Sequence, residues 1–296
     1  MNTTKTDLLA QSRRRRKLRS HAGNLLFLLP AMLLFGYVVL VPFVQGVPYS
    51  FTNWKSIISP DKQFNGLSNY VMMLKNSYFQ NAFGHTLLFT LIYEVGTNFL
   101  GLCIALLLFR SSKFANLCRT MMFVPFTTAL TSAAIVWSYV YTDVYSALFH
   151  VASPLGQSDQ VVAGMAVIAI WRDMGYCMLI YIAGLKAIPD DYYEAATLDG
   201  AGVWQKFRHV TLPLLVPSFT ANVTLLLAWG LRCFDYPMAV ARNMEAAQTS
   251  AMFVYDYIFG FSKAGLGQAA AVILTIVLVV LTRVTTYLFR KSEVEA

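Results

Sequence analysis

The sequence predicts an all-α integral membrane protein of about six transmembrane helices with both termini in the cytoplasm. Three observations carry this. Charged residues make up only 13% of the 296-residue chain and hydrophobic residues 57%, whereas a soluble domain is about 25% charged. Mean hydropathy is +0.53. Six apolar stretches also recur along the chain, each close to the length of about 20 residues that a helix needs to cross a hydrocarbon core of about 30 Å.

The elements follow in order. Residues 1–23 form a basic cytoplasmic segment, with seven of the 23 Lys and Arg residues (Lys5, Arg13, Arg14, Arg15, Arg16, Lys17 and Arg19) ahead of Asn24. A basic run directly before a long apolar stretch reads as an anchor to anionic membrane lipid, not as a nucleic-acid surface. The apolar stretch is a full span, and no A-x-A site follows, so a cleaved signal peptide does not fit. The first span is expected over Asn24–Val44. With the outer loop to Gly84 it makes a unit at 24–84. A five-span core at 85–290 follows, with spans over His85–Phe109, Met121–Tyr141, Val161–Leu185, Leu214–Arg232 and Gln268–Phe289. Residues 291–296 are a cytoplasmic tail. With the N-terminus inside, the cytoplasmic segments hold 15 Lys and Arg and the outer segments five, the bias that sets orientation.

Finer features fit this frame. Tyr49, Phe51 and Trp54 after the first span, and Trp137, Tyr139 and Tyr141 at the end of the third, suit an interfacial aromatic belt. Gly84, Gly96 and Gly101 would let helices approach closely. Cys103, Cys118, Cys177 and Cys233 lack C-x-x-C spacing and read as small core residues. The four histidines have no metal-ligand spacing. Glu94, Arg172, Asp173 and Asn222 lie at membrane depth, where an unpaired charge costs about 2.5–3.5 kcal/mol. Each should face the bundle interior or find a partner. Two readings follow. They line a solute pathway, with Trp229 or Tyr236 stacking on the solute, or they form an internal ion pair, such as Glu94 with Arg172, that fixes packing.

The stretch between the fourth and fifth spans, 186–213, is the most informative. Pro189 ends the fourth span. Asp190 or Asp191 can cap a new helix, with Asp191 and Glu194 at capping-box-like spacing. Asp199-Gly200 then breaks it, since Gly adopts the left-handed C′ position at low cost, and Asp199 can cap a second short helix through Phe207. Pro213 suits the first turn of the fifth span. Two short helices with a sharp turn at the cytoplasmic surface suit docking into a partner's groove.

This stretch resembles the EAA loop of binding-protein-dependent ABC importer permeases, E-A-A-x-x-D-G-A-x-x-x-x-x-F-x-x-x-x-L-P. The match falls at Glu194, Ala195, Ala196, Asp199, Gly200, Ala201, Phe207, Leu212 and Pro213. The resemblance extends over most of the chain. "LLFLLPAMLLF", "VPFVQGVPYSFTNW", "FNGLSNY", "NAFGHTLLFT" and "IWRDMGYCMLIYIAGLKAIP" look like the carbohydrate-uptake branch, the permeases for oligosaccharides and glycerol phosphate. That branch usually shows T-x-G-G-P after the fifth span, where this chain has Ala241-Arg242-Asn243-Met244-Glu245. "YDYIFGFSKAGLGQAAA" then returns to the pattern.

The resemblance implies the ABC-importer permease fold, a multi-pass protein of a bacterial or archaeal plasma (inner) membrane, and a division of labour. This chain would pair with a second, homologous permease, and the two would form the pathway for a sugar. Two ATP-binding subunits would bind ATP-Mg on the cytoplasmic side, and an extracytoplasmic solute-binding protein would deliver substrate. Glu194, Ala195, Ala196, Leu198, Asp199, Gly200, Ala201, Phe207 and Pro213 would couple to the ATPase. Closure of the ATPase dimer would carry residues 194–204 along and turn the bundle outward-facing. The chain itself has no G-x-x-x-x-G-K-[ST] loop, so no cofactor, metal or catalytic residue is expected in it, and no nucleic acid among its partners. Two rival classes fit less well. A secondary transporter predicts an inverted repeat, which the sequence lacks. A membrane enzyme needs clustered His, Cys or carboxylates, and Asp190, Asp191 and Glu194 are better explained as caps and a docking contact.

Overall fold

The computed structural model describes residues 23–291, apart from 57, 60 and 61. The basic run expected ahead of Gly23 and the tail after Lys291 lie outside the described residues.

The first helix, α1 (Gly23–Tyr49), carries a π turn at Gly36–Leu40. It is apolar all round, and its side chains stay exposed as far as Val44. Near its end it meets the last span, where Gly46 lies against Gln268. After the short helix α2 (Ser68–Lys75), α3 runs from Ser77 to Leu108. The expected start of this span at His85 was eight residues late. Asn76 caps the helix, its Oδ1 accepting from Tyr78 N at 2.9 Å and Phe79 N at 3.4 Å, and the polar first turns stand above the apolar stretch that hydropathy registers.

The third span departs from the single helix expected over Met121–Tyr141. It is two helices, α4 (Lys113–Thr127) and α5 (Leu130–Phe149), that meet at 101°. The sequence explains the break. Pro125 opens a 3₁₀ turn, Thr127 and Thr128 hydroxyls take the carbonyls of Val124 and Pro125 at 2.7 and 2.6 Å, and Ala129 is extended. Helix α6 (Val161–Ala187) matches the fourth span. Helix α7 (Asp190–Leu198) and α8 (Val203–Leu214) form the cytoplasmic turn, and α8 meets α9 (Val216–Gly230) at 60°. The fifth span therefore starts at Val216, with Pro217 in its first turn, and Pro213 belongs to the segment before the bend. Short helices α10 (Asp235–Val240) and α11 (Ser250–Tyr255) lead to the last span, α12 (Ala264–Lys291).

The core lies where α3, α6 and α9 cross. Phe89 and Tyr93 from α3 bury against Met165, Ile168, Met178 and Tyr181 of α6, with Leu226 from α9. Small residues set these distances. A Cβ on Gly101 would lie 2.8 Å from Cys177 Cβ, and one on Gly175 would lie 1.9 Å from the Met122 carbonyl oxygen. Gly175 thus seats the end of α4 directly on α6. Gly96 packs on Ile170 as expected, but Gly84 faces open space and makes no helix contact. Cys177 and Cys233 are buried, as expected, while Cys103 and Cys118 are half-buried. Trp137 and Tyr141 do not join a belt. Trp137 stacks edge-on to Trp171, and Tyr141 is buried with its hydroxyl donating to Gly164 O at 3.1 Å, leaving Tyr139 exposed.

Segments assigned to one side of the membrane meet at one end. Gly265 N donates to Trp54 O at 2.7 Å, Asn69 Nδ2 to Ser50 O at 2.7 Å, and Asn76 Nδ2 to Tyr257 at 3.1 Å. At the other end Arg119 donates to the Leu108 carbonyl at 2.9 Å, closing the C-terminus of α3.

Candidate functional site

Two places concentrate the sequence-predicted residues. The first is a cavity of about 390 Å³ between the break in the third span, α6 and the end of α9. Of the candidate pathway residues, Arg172, Asp173, Trp229 and Tyr236 line it, and Glu94 and Asn222 do not.

The cavity forms where the third span breaks. Unwinding around Thr128 frees a half-buried backbone carbonyl, and such a group is satisfied by a neighbouring donor. Arg172 supplies it: Nε donates to Thr128 O at 3.1 Å. The same guanidinium pairs with Asp173 Oδ1 at 2.5 Å and lies 5.1 Å from the Phe126 ring centre. The other Asp173 oxygen accepts from Tyr93 OH at 2.5 Å. Four groups from three elements are therefore locked together. The ion pair is real, but its partners are Arg172 and Asp173, not Glu94 and Arg172. Neighbours i and i+1 do not share a helix face, so Arg172 must fold back over Asp173. The carbonyl and Phe126 on the far side hold it there.

Around this lock the wall is aromatic. Phe126 stacks on Tyr176 at 4.6 Å, and Trp229 lies 5.6 Å from Tyr176. Past the end of α9, Arg232 is exposed, and its Nε donates to Ala228 O at 3.0 Å. Asp235 opens α10, and the adjoining Tyr236 is buried with a hydroxyl that has no hydrogen-bond partner among the described residues. Sequence reading missed Tyr93, Phe126, Arg232 and Asp235. Arg232 and Asp235 carried a visible signal, two charges three residues apart at the end of a span. Phe126 carried none, because only the break turns it inward.

Glu94 is half-buried on α3 and has no ion pair among the described residues. Asn222 is fully buried and donates from Nδ2 to Cys177 O at 3.4 Å, while Tyr181 OH donates to Asn98 Oδ1 at 2.5 Å. Asn222, Tyr181 and Asn98 thus tie α9 to α6 and α6 to α3.

The second place is the turn between α7 and α8. Gly200 adopts φ +74°, the left-handed region. Its N–H donates to Thr197 O at 3.0 Å, and Ala201 N–H donates to Ala196 O at 2.9 Å. Those are the two bonds of a Schellman motif, with Ala196 and Ala201 at the positions that touch across it. The residue types of the loop thus have a backbone reason. The expected caps did not form. Pro189 precedes α7 without a side-chain cap, so Asp190 and Asp191 sit within the first turn, where they favour the helix dipole. Gly202, not Asp199, starts α8, with its N–H donating to Gln205 Oε1 at 2.7 Å.

The turn is braced from behind. Lys206 Nζ donates to Thr197 Oγ1 at 2.8 Å, and Tyr193 and Thr211 hydroxyls meet at 3.0 Å. Trp204 and Phe207 rings lie 5.6 Å apart. The result is a groove of about 460 Å³ bordered by Tyr192, Ala195, Ala196, Asp199, Gly200 and Ala201. Leu198 and Val203 are 89% and 88% exposed at its rim, and Trp204 is 68% exposed. Glu194 projects outward and is exposed, Phe207 is half-buried, and Pro213 lies farther along α8.

A sequence profile of the family described as "binding-protein-dependent transport system inner membrane component" matches residues 97–294. This chain belongs to that family. Its relatives include the probable starch degradation products transport system permease protein AmyD of Thermoanaerobacterium thermosulfurigenes, 31% identical over 278 residues and covering 91% of this chain and 94% of that one. The multiple sugar-binding transport system permease protein MsmF of Streptococcus mutans is 30% identical, covering 90% of this permease and 95% of that one. The fold is similar to that of a chain in the crystal structure of a bacterial ABC transporter involved in the import of the acidic polysaccharide alginate. The TM-score is 0.79 at 18% identity, with 94% of this permease and 99% of that chain covered. The protein is therefore a membrane permease subunit of an ABC importer, and the hydrolysis of ATP is done by a separate subunit.

Proposed function

We propose that this permease forms half of the pathway for a sugar or sugar-like solute and takes its energy from ATP-binding subunits docked on the 190–213 turn. The observation that carries the coupling half is the Gly200 turn. Large apolar side chains at Leu198, Val203 and Trp204 stand in water on a hairpin whose backbone is fixed by the Schellman bonds and braced by Tyr193 and Lys206. Exposure of that kind marks a contact surface. A rigid hairpin transmits a push, where a flexible one would absorb it. Glu194, Ala195, Ala196, Asp199, Ala201, Phe207 and Pro213 build or extend this surface, and ATP-Mg belongs to the partner.

Sugar as the solute rests on what related permeases are named for: starch degradation products, multiple sugars, alpha-glucosides in Rhizobium meliloti and sulfoquinovosyl glycerol in Agrobacterium fabrum. Aromatic walls with a few polar groups are the surface that a sugar ring needs, and Trp229 and Tyr236 stand there. Arg172 and Asp173 brace the broken span at its wall, Asn222 ties α9 to α6, and Glu94, half-buried on α3, is a further pathway candidate. A second homologous permease supplies the facing half and covers exposed α1 together with lipid. An extracytoplasmic binding protein hands over the sugar; a fold neighbour is described in complex with an alginate pentasaccharide-bound periplasmic protein. The membrane is the inner membrane of a bacterium or archaeon.

Purification of the tagged chain from its native membrane in mild detergent, with mass spectrometry of what accompanies it, tests this reading. The expected companions are a second six-span permease and a P-loop ATPase in near-equal amounts, the ATPase being lost on Leu198→Asp with Val203→Asp. A chain that purifies alone would contradict it.

A further inference from the structure

A groove of about 620 Å³ runs between α9 and α12 and shares no lining residue with the cavity or the coupling turn. Pro217, Ala221 and Leu225 form its apolar wall, and Thr224, Thr286 and Arg290 its polar one. Its level is the cytoplasmic edge of the membrane. Pro217 stands in the first turn of α9, Gly184 near the end of α6 is seated on the adjoining Ser218, and Arg290 is in the last turn of α12. The polar groups here are cations and hydroxyls. Arg283 precedes Arg290 by seven residues, so two helical turns place it on the same face and about 10 Å deeper. Both are exposed, and neither has an ion-pair partner among the described residues. No Asp or Glu lies on α9 or α12, so neither wall supplies a counter-charge. The Thr224 and Thr286 hydroxyls meet at 3.2 Å. That one bond uses one of their two hydrogens and leaves the other to donate.

We infer that this groove holds the headgroup of an anionic phospholipid of the cytoplasmic leaflet, with Arg283 and Arg290 gripping its phosphate from either side. A cation within a span is costly unless it meets an anion. Side chains lean toward the N-terminus of their helix, which for α12 is the outer end. Arg290 therefore leans back over the groove that it lines. Arg283 starts away from the cytoplasmic water toward which it would have to snorkel. A phosphate at the level between them serves both, and the guanidinium fork matches phosphate oxygens. The spare threonine hydrogen adds a donor. An acyl chain has a path as well: Ile276, Val279 and Val280, exposed on the same face of α12 as Arg283, continue from the groove toward the bilayer centre. Charge decides for a lipid against a helix of the second permease. A helix would have to carry carboxylates into the span to match two arginines, whereas the cytoplasmic leaflet is rich in anionic heads, which basic pockets between spans collect. The inference does not depend on which solute crosses.

The test uses the assembled transporter in nanodiscs of phosphatidylethanolamine containing a minor share of phosphatidylglycerol with a diazirine beside its glycerol backbone. After irradiation, peptide mass spectrometry locates the adducts. They are expected within 217–225 and 276–290, and a phosphatidylethanolamine carrying the same diazirine is expected to label these segments about fivefold less or weaker still. Arg283→Gln with Arg290→Gln is expected to lower the phosphatidylglycerol adducts there by about tenfold and to leave those elsewhere on the permease unchanged. Equal labelling of the groove by the two probes overturns the inference. So does a groove that stays unlabelled in the wild type, the result expected if a helix of the second permease covers it. Suppression of the adducts by excess inorganic phosphate at constant ionic strength would also overturn it, by assigning the groove to a free anion. Should the double variant fail to assemble, the comparison of the two probes on the wild type decides alone.

Discussion

Arg172 has one guanidinium and three obligations: a carboxylate, an orphaned carbonyl and an aromatic face. Its side chain is 14% exposed and that of Asp173 5%. Removing one partner of a buried pair strands the other, which costs about 3–5 kcal/mol. Arg172→Ala should therefore lower the thermal midpoint of the detergent-solubilised complex sharply, by an amount that matches that range. Arg172→Met with Asp173→Leu should recover part of the loss, because replacing both charges leaves no ion unpaired. A single substitution that leaves the midpoint in place would refute the pinning role. The residue types were legible from the sequence, since a charge at membrane depth demands a partner. The identity of the partner was not: Glu94 looked equally good along the chain, and only the turn at Thr128 decides for Asp173.

At the scale of elements, local chemistry and tertiary context divide the credit. Asp199-Gly200 announced a helix stop, and Gly200 indeed lies at φ +74°. A side chain at that position strains the backbone by about 1–2 kcal/mol. Gly200→Val should thus leave the permease assembled in the membrane but tilt the hairpin, lowering ATP-driven uptake several-fold more than it lowers the amount of ATPase that copurifies. Equal losses of both would place Gly200 in folding instead of coupling. The caps were harder to foresee. Asp191 and Asp199 have the right spacing, yet Pro189 and Gly202 occupy the entry positions. The broken third span was hidden for a related reason. Pro125 is visible in the sequence, but prolines also sit in continuous spans when neighbours satisfy the freed groups. Only Gly175 and Arg172, from a helix about fifty residues away in sequence, decide between a kink and a turn of 101°.

At the scale of the molecule, hydropathy located the four unbroken spans and the two bent helix pairs, and the asymmetry of Lys and Arg grouped the loops, because both follow from the membrane as solvent and need no packing detail. Loops assigned to one face meet in space: Trp54 with Gly265, Asn76 with Tyr257. The cavity was only half legible. Arg172, Asp173, Trp229 and Tyr236 announced themselves as polar or aromatic groups in apolar runs, whereas Tyr93 and Phe126 were two aromatics among many. The exposure of α1 from Leu25 to Val44 is what a span facing lipid or another membrane helix shows. Opening of the pathway by ATP hydrolysed elsewhere and passed through the 190–213 hairpin can be measured as uptake into proteoliposomes holding this permease with and without the copurifying ATPase. Accumulation against a gradient is expected only with the ATPase and ATP present, and is expected to be lost when Leu198 and Val203 are made acidic. Accumulation by the permease alone, driven by an ion gradient, would contradict it.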